Sequence, residues 1–419
     1  MIRLSYSTSG LTQLPFLDAI DAVAESGYDG IELGFHRSQF SPFDLDEAFL
    51  ERVGQRLDER RLVPACVATA SHFFMPSRPH EPSLLTLDAA GRKRRIDLVK
   101  RGIRVARRLG VRLVTFGSGF LRAEHVRHPD VDAGRLLVGS IRECLRELED
   151  DDDITLLIEP EPGMFIETID QGLALIERVA SPRFRLHVDL CHAFCSETDP
   201  MAALTRAAPF TRYLHVSDAE QGHNLRIVTH SSPLSLDGRQ STLVYFPASA
   251  DFLLVHPQRP FYFCDAWPNR TRQKRLRELL ATAGIDKVVT VVDYAELHTG
   301  CSSLDDEIHT WLISLPGLSF EVLERARPIV AWLRGVSGPT LIKQRVANTR
   351  TGIVHYHDIP GNGCLDLAGS FSTLAEAGFD GYATVELYHH VDCWQQAMSA
   401  SHRHLTGLLP RPATAAVSL

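Results

Sequence analysis

A chain of 419 residues exceeds one minimal domain and has room for a barrel of roughly 250 residues plus further elements. Apolar residues make up 44%, enough for a substantial core, and the net charge of −8 comes from acids and bases mixed along the chain. That balance excludes a basic nucleic-acid binder as the default, and no apolar run reaches membrane length.

Strand and helix patterns alternate from the start. Ile2–Ser7 reads as a strand with no signal-peptide pattern ahead of it, so the expected compartment is the cytoplasm. Phe16–Ser26 is an amphipathic helix pattern closed by Gly27, and Gly30–Gly34 is a second strand with Glu32 inside it. Leu45–Arg61 reads as a helix and Val63–Thr69 as the third strand, followed by a loop carrying His72, Arg78, His80 and Glu81. The basic run in helix Arg92–Leu109 keeps helical apolar spacing and reads as a solvated face. Strand Val111–Phe116, a glycine-bearing loop and helix Gly134–Leu148 follow, the last closed by the acidic run EDDDD. Strand Ile154–Ile158, helix Thr168–Val179, strand Phe184–Val188, helix Pro200–Ala207 and strand Thr211–Val216 continue the alternation. Leu367–Ala377, Gly381–Glu386 and Val391–Leu408 complete it as helix, eighth strand and closing helix. Such alternation implies a parallel sheet with right-handed crossovers. Eight units with a terminal helix favour a (β/α)8 TIM barrel, and no Gly-x-Gly-x-x-Gly follows the first strand to support a dinucleotide-binding sheet.

Residues 220–350 are far too long for one connection. They carry strand patterns at Thr242–Phe246, Phe252–His256, Pro260–Cys264 and Lys287–Val292, and helix patterns at Arg272–Ala283, Leu304–Leu315 and Phe320–Arg334. The expected organisation is a barrel of residues 1–219 and 351–410, an inserted α/β cap subdomain at 220–350, and a flexible tail at 411–419. A cap leaving from the catalytic face is expected to close over substrate, the alternative being a structural or dimerising decoration.

Four strand patterns end on a chemistry-bearing residue: Glu159 after ITLLI, Asp189 after FRLHV with His192 three residues on, His215 after RYL, and Glu386 after YATV. Asp-x-x-His alone is a common chance pattern. Four such strand ends together are the arrangement of a barrel with its site on the C-terminal face. Of eight cysteines, only Cys191 and Cys195 are closely spaced near these residues, without the second pair a zinc site needs. The set reads as small thiols in a reducing compartment.

The segments LLIEP, HVDLCH, YLHVSD and ATVEL, with HYHDIPGNGCLDL ahead of AGFDGYATVEL and AESGYDGIELG near the start, resemble the xylose isomerase-like barrel superfamily of sugar isomerases, ketose 3-epimerases, inosose dehydratases and the apurinic endonuclease. The resemblance covers residues 1–218 and 353–405 and omits the insert. It implies one divalent ion held by Glu159, Asp189, His215 and Glu386, Mn²⁺ or Mg²⁺ favoured over Co²⁺ or Zn²⁺. A hard set of three carboxylates and one imidazole suits such an ion and leaves positions for two substrate oxygens. Glu159 and Glu386 are then the expected acid/base pair, with His192, His72, His357 and Glu161 around a small polyhydroxylated substrate. The expected activity is isomerisation or epimerisation of a sugar, cyclitol or related polyol, or dehydration by the same proton abstraction. Neither nucleic acid nor membrane is an expected partner, and homodimers are common in the superfamily.

The epimerase pattern is incomplete here. HVSDAEQGHN lacks the arginine that follows the strand-seven histidine, although Arg226 is close in sequence, and neither Glu161 nor Glu167 has the spacing of the further epimerase glutamate. His357 stands where the endonuclease branch has a ligand, with His355 in place of its aspartate partner. With His72, this keeps a polynuclear zinc hydrolase as the alternative, against which strand four ends in TFGSG without a histidine. Intact acid/base carboxylates argue against a non-catalytic metabolite-binding barrel.

Overall fold

A computed structural model describes residues 1–69, 73–74, 80–121, 124–125, 128–219, 355, 357–388 and 390–410, and the backbone alone of residues 226–229, 242–246, 251–256, 259–265, 346–347 and 354. The early strands are β1 Arg3–Ser7, β2 Gly30–Gly34, β3 Val63–Ala68 and β4 Leu113–Gly117, followed by β5 Thr155–Glu159, β6 Phe184–Asp189 and β7 Thr211–Val216. Tyr382–Val385, β14 in chain order, inserts between β7 and β1 and closes an eight-stranded parallel barrel. The helices around it are α1 Phe16–Glu25, α2 Glu47–Arg60, α3 Ala89–Leu109, α4 Ala133–Leu145, α5 Ile169–Val179, α6 Leu190–Ser196, α7 Pro200–Ala207, α8 Leu367–Glu376 and α9 Trp394–Leu408.

Cap chemistry sets where these helices begin. Asp46, Asp88, Asp132, Asp199 and Asp366 each accept an amide of the first turn, and Thr168 with Gln171 forms a capping box. Removing such a cap costs about 1 kcal/mol. Asp88 starts α3 earlier than Arg92, because a side-chain acceptor decides the start more than apolar spacing does. The expected closing helix from Val391 begins instead as a 3-10 turn, Val391–Cys393.

The basic face of α3 is paired rather than simply solvated. Arg104 reaches Glu147 at 2.7 Å, Lys100 reaches Glu143 at 3.4 Å, and Arg107 donates to both Asp152 oxygens at 2.8 and 2.7 Å. Acids of α4 and of the stretch that follows it, Glu143, Glu147 and Asp152, are therefore the counter-charge of α3.

Within the inserted stretch, β8 Arg226–Thr229, β9 Thr242–Phe246, β10 Asp251–His256 and β11 Arg259–Asp265 form an antiparallel sheet in the order β11-β10-β9-β8. A short pair, β12 Val346–Ala347 and β13 Val354–His355, precedes the return to the barrel. The remaining strand and the helices expected between 272 and 334 lie outside the described residues, as does the 411–419 tail.

Departure and return meet at one point. Asp218 and Asp358 exchange backbone hydrogen bonds of 2.8 Å in both directions. The Asp218 carboxylate accepts amides from Ala219 at 2.9 Å, Gly361 at 2.9 Å and Leu365 at 3.1 Å. Gly361 has a φ of +96°, and a Cβ at Gly363 would lie 2.3 Å from Asp218 Oδ1. The Gly-Asn-Gly stretch is thus what lets the chain fold tightly around this carboxylate. Closing a long insertion between adjacent ends adds little entropy cost.

Asp218→Ala strands three amides and is expected to destabilise the fold by about 2–3 kcal/mol, read from denaturant midpoints. A second prediction concerns pH. Hydrogen bonds from Arg107 hold the Asp152 carboxyl below its ordinary 3.8, so this pair stabilises the fold above pH 3.8 and its contribution fades as pH falls through the folded value. Asp152→Asn is expected to be less stable than the parent near neutrality, with the gap closing below pH 3.8 in acid-denaturation curves.

Candidate metal centre and active site

The period of two along each strand brings the four expected residues onto the inner face at the barrel's C-terminal end. Asp189 pairs in register with His215, His215 with Thr384, and Gly117 with Glu159. Glu386 follows β14 directly.

Asp189 does two jobs with two oxygens. Its Oδ1 accepts the His192 amide at 2.9 Å and caps α6, which accounts for the three-residue Asp–His spacing. Its Oδ2 is buried and unpartnered, as are Glu159 Oε1 and His215 Nδ1. These atoms converge: His215 Nδ1 lies 3.5 Å from Glu159 Oε1, 3.9 Å from Asp189 Oδ2 and 3.5 Å from Glu386 Oε2. Buried polar atoms without partners are rare, and three aimed at one centre fit a cation held among them. The residues present therefore suit a divalent ion.

Glu32 orients the imidazole. His215 Nε2 donates to Glu32 Oε2 at 2.8 Å, so a neutral His215, the form that would bind a metal, turns its Nδ1 lone pair toward the carboxylates. Ser7 in turn donates to Glu32 Oε1 at 2.6 Å. One layer below, His187 is fully buried, with Nδ1 2.8 Å from Thr115 Oγ1 and 3.6 Å from Glu159 Oε2.

A second convergence stands beside the first. His192, His355 and His357 gather their Nε2 atoms, with His357 3.1 Å from His192 and 3.0 Å from His355. His192 Nδ1 donates to the Pro160 carbonyl at 3.1 Å, so a neutral His192 turns a bare lone pair toward His357. His357 sits in left-handed backbone at φ 56° and lies 3.2 Å from Glu386 Oε2 through Nδ1, joining the two groups.

The charges are distributed unevenly. Burial pushes the Glu159 carboxyl up to about 7, against the pull of His215. Burial and the Glu159 charge drive Glu161 well above the ordinary range. For Glu386, burial acts upward but the charge and hydrogen bonds of His215 and His357 outweigh it and hold the carboxyl well below 4.5. Burial likewise acts downward on His357, yet Asp189 and the hydrogen bond to Glu386 bring its imidazolium up to about 10, while burial keeps His192 and His355 neutral.

Of the residues expected from sequence, Glu159, Asp189, His215, Glu386, His192, His355 and His357 come together. Glu161 is beside them, its carboxylate 3.5 Å from His80 Nε2. Glu167 instead lines a separate small recess behind Asp189 and His192. His72 and the Arg226 side chain lie outside the described residues. Sequence reading missed Glu32, His187 and His80 as contributors. His187 shares the inward face with Asp189 two residues on, a period-two signal that was available; Glu32 and His80 carry no such marker.

The closed barrel and its strand-end carboxylates and imidazoles define a (β/α)8 protein that concentrates ligand atoms at its C-terminal mouth. The family profile described as xylose isomerase-like TIM barrel matches residues 20–240, and the chain belongs to that family. Fructoselysine 3-epimerase of Shigella flexneri is 25% identical over 227 residues, spanning 51% of this chain and 75% of that protein. Among solved structures, the IOLI protein with a binding zinc atom aligns over 97% of this chain and 98% of its own, at 12% identity and a TM-score of 0.54. The probable 3-DHS dehydratase AsbF of Bacillus anthracis aligns over 97% and 99%, at 14% identity and a TM-score of 0.50. At these identities the two structures speak for the fold alone.

Glu32→Gln removes the charged acceptor behind His215 and is expected to weaken divalent-metal affinity about 10- to 100-fold in a chelator competition, with the fold intact by circular dichroism.

Proposed function

We propose that the chain is a divalent-metal-dependent isomerase or epimerase of a sugar, cyclitol or related polyol. The convergence of Glu159 Oε1, Asp189 Oδ2 and His215 Nδ1 beside Glu386 carries this reading. Membership of the family and likeness to a 3-epimerase support it. Glu159, Asp189, His215 and Glu386 would hold the ion, Mn²⁺ or Mg²⁺ before Co²⁺ or Zn²⁺ for a donor set of three carboxylates and one nitrogen. When bound, such an ion polarises the carbonyl of a chelated hydroxy-ketone and acidifies the neighbouring C–H. Glu386, 3.2 Å from His357 Nδ1, is the base that removes that proton. Glu159 is the acid that returns one. His192 and Glu161 line the substrate's surroundings. A dehydratase begins with the same proton removal and differs in what leaves next.

Glu386→Gln is expected to abolish solvent deuterium incorporation at the carbon beside the substrate carbonyl, followed by proton NMR. Retained incorporation at the parent rate removes Glu386 as the base.

The three converging Nε2 atoms favour a second reading, a polynuclear zinc site with hydrolytic chemistry. Metal analysis of the purified chain separates the two. About one ion per chain, unchanged in His357→Ala, fits the isomerase; two or more, falling by one in His357→Ala, fits the hydrolase.

A further inference from the structure

Below the strand-end residues, the barrel interior carries three hydroxyls that the chemistry above does not use. Ser5 of β1, Thr384 of β14 and Tyr213 of β7 are each 0% exposed. Ser5 pairs in register with Thr384, and Thr384 with His215, at the seam where the last strand closes the barrel. Tyr213 stands two residues before His215 on the same strand and shares its inward face.

Hydrogen bonding gives this group a direction. Thr384 Oγ1 donates to the Tyr213 phenol oxygen at 2.6 Å. A hydroxyl has one proton, so Thr384 accepts in its other hydrogen bond, the one with Ser5. The Tyr213 oxygen is an acceptor toward Thr384, and its own proton is free for its second hydrogen-bond partner, Glu32. Burial and the Glu32 charge drive this phenol well above its ordinary range, so it keeps the proton that it donates. Every link thus runs one way: Ser5 to Thr384, Thr384 to Tyr213, Tyr213 to Glu32. Hydrogen bonds aligned in one sense polarise and strengthen one another. Glu32 collects the end of the chain together with Ser7 Oγ at 2.6 Å and His215 Nε2 at 2.8 Å. A carboxylate has room for about four such donors, and each one narrows the positions its oxygens can take.

We propose that Tyr213, with Thr384 and Ser5 behind it, is a positioning residue for metal binding. The chain fixes Glu32, Glu32 fixes the His215 ring, and the ring presents Nδ1 to the ion. Metal affinity then depends on how the barrel closes, because the middle link belongs to the strand that returns after the insertion. This deepens the metal-dependent reading and rests on it for the presence of the ion. The Tyr213 ring also packs edge-on against His215, with centroids 5.6 Å apart. Phenylalanine retains that packing, so Tyr213→Phe tests the hydroxyl alone.

The experiment is titration of the full chain with Mn²⁺, following the free ion by electron paramagnetic resonance, for single variants and for a double-mutant cycle with Glu32→Gln. Tyr213→Phe is expected to weaken Mn²⁺ binding about 5-fold, less than Glu32→Gln because it acts one bond further out. Thr384→Val is expected to cost about 3-fold, while Thr384→Ser, which keeps the hydroxyl, recovers the parent affinity to within about 1.5-fold. In the Glu32→Gln background, Tyr213→Phe and Thr384→Val are each expected to change affinity by less than about 1.5-fold, since the residue they act through is already altered. A merely structural hydroxyl group would cost the same in both backgrounds. Should Tyr213→Phe fail to fold, the Thr384 variants complete the same cycle. Parent-like Mn²⁺ affinity in Tyr213→Phe and Thr384→Val, or equal losses with and without Glu32→Gln, overturns the positioning chain and leaves the metal site standing. A parent chain that takes up no divalent ion overturns the metal-dependent reading and this inference with it.

Discussion

The hydrogen bond from His215 Nε2 to Glu32 Oε2, 2.8 Å long, is the constraint on which the site depends. It spans 183 residues of sequence and sets a tautomer. With one proton committed to Glu32, a neutral ring has only a lone pair to offer at the other nitrogen, and three carboxylates face it. Reverse the tautomer and Nδ1–H would compete for those same carboxylates as a donor, leaving no imidazole ligand for a cation. The barrel's closure is what brings Glu32 of β2 across to β7, so the electrostatics of the site inherit their precision from the sheet register.

That arrangement is costly for the fold. A barrel interior is ordinarily filled by layers of branched apolar side chains. Here His187, Tyr213 and Thr384 lie one layer beneath the strand-end residues, and Glu159, Glu161, Asp189 and Glu386 sit above or beside them. Uncompensated buried charge is expensive, and the site balances it only in part through His215 and His357. Stability has to come from outside the mouth: side-chain caps on the helices, the α3 bases paired with the acids after α4, and a continuous apolar layer between strands and helices.

The re-entry after the insertion is where fold and site meet. Asp218 gathers amides from both sides of the break, and the returning chain then presents His355 and His357 to His192. The left-handed backbone at His357 is tolerated because the bridge at Asp358 holds the next residue in place. An insertion at this point leaves the parallel barrel unbroken while fixing the second histidine group.

What the sequence determined by itself was everything with a local period. Alternating strand and helix patterns mark the eight units, and strand ends mark Glu159, Asp189, His215 and Glu386, because period two and turn chemistry act over a few residues. The second-layer contacts were decided only in three dimensions. Glu32 looks like any polar residue inside GIELG until closure sets it against His215, and His80 is one of several loop residues until Gly117 makes room for it. The pairing of α3 with the acidic run likewise depends on where neighbouring elements lie. Such contacts join residues tens to hundreds of positions apart, and no local propensity encodes a distance that only the finished barrel creates.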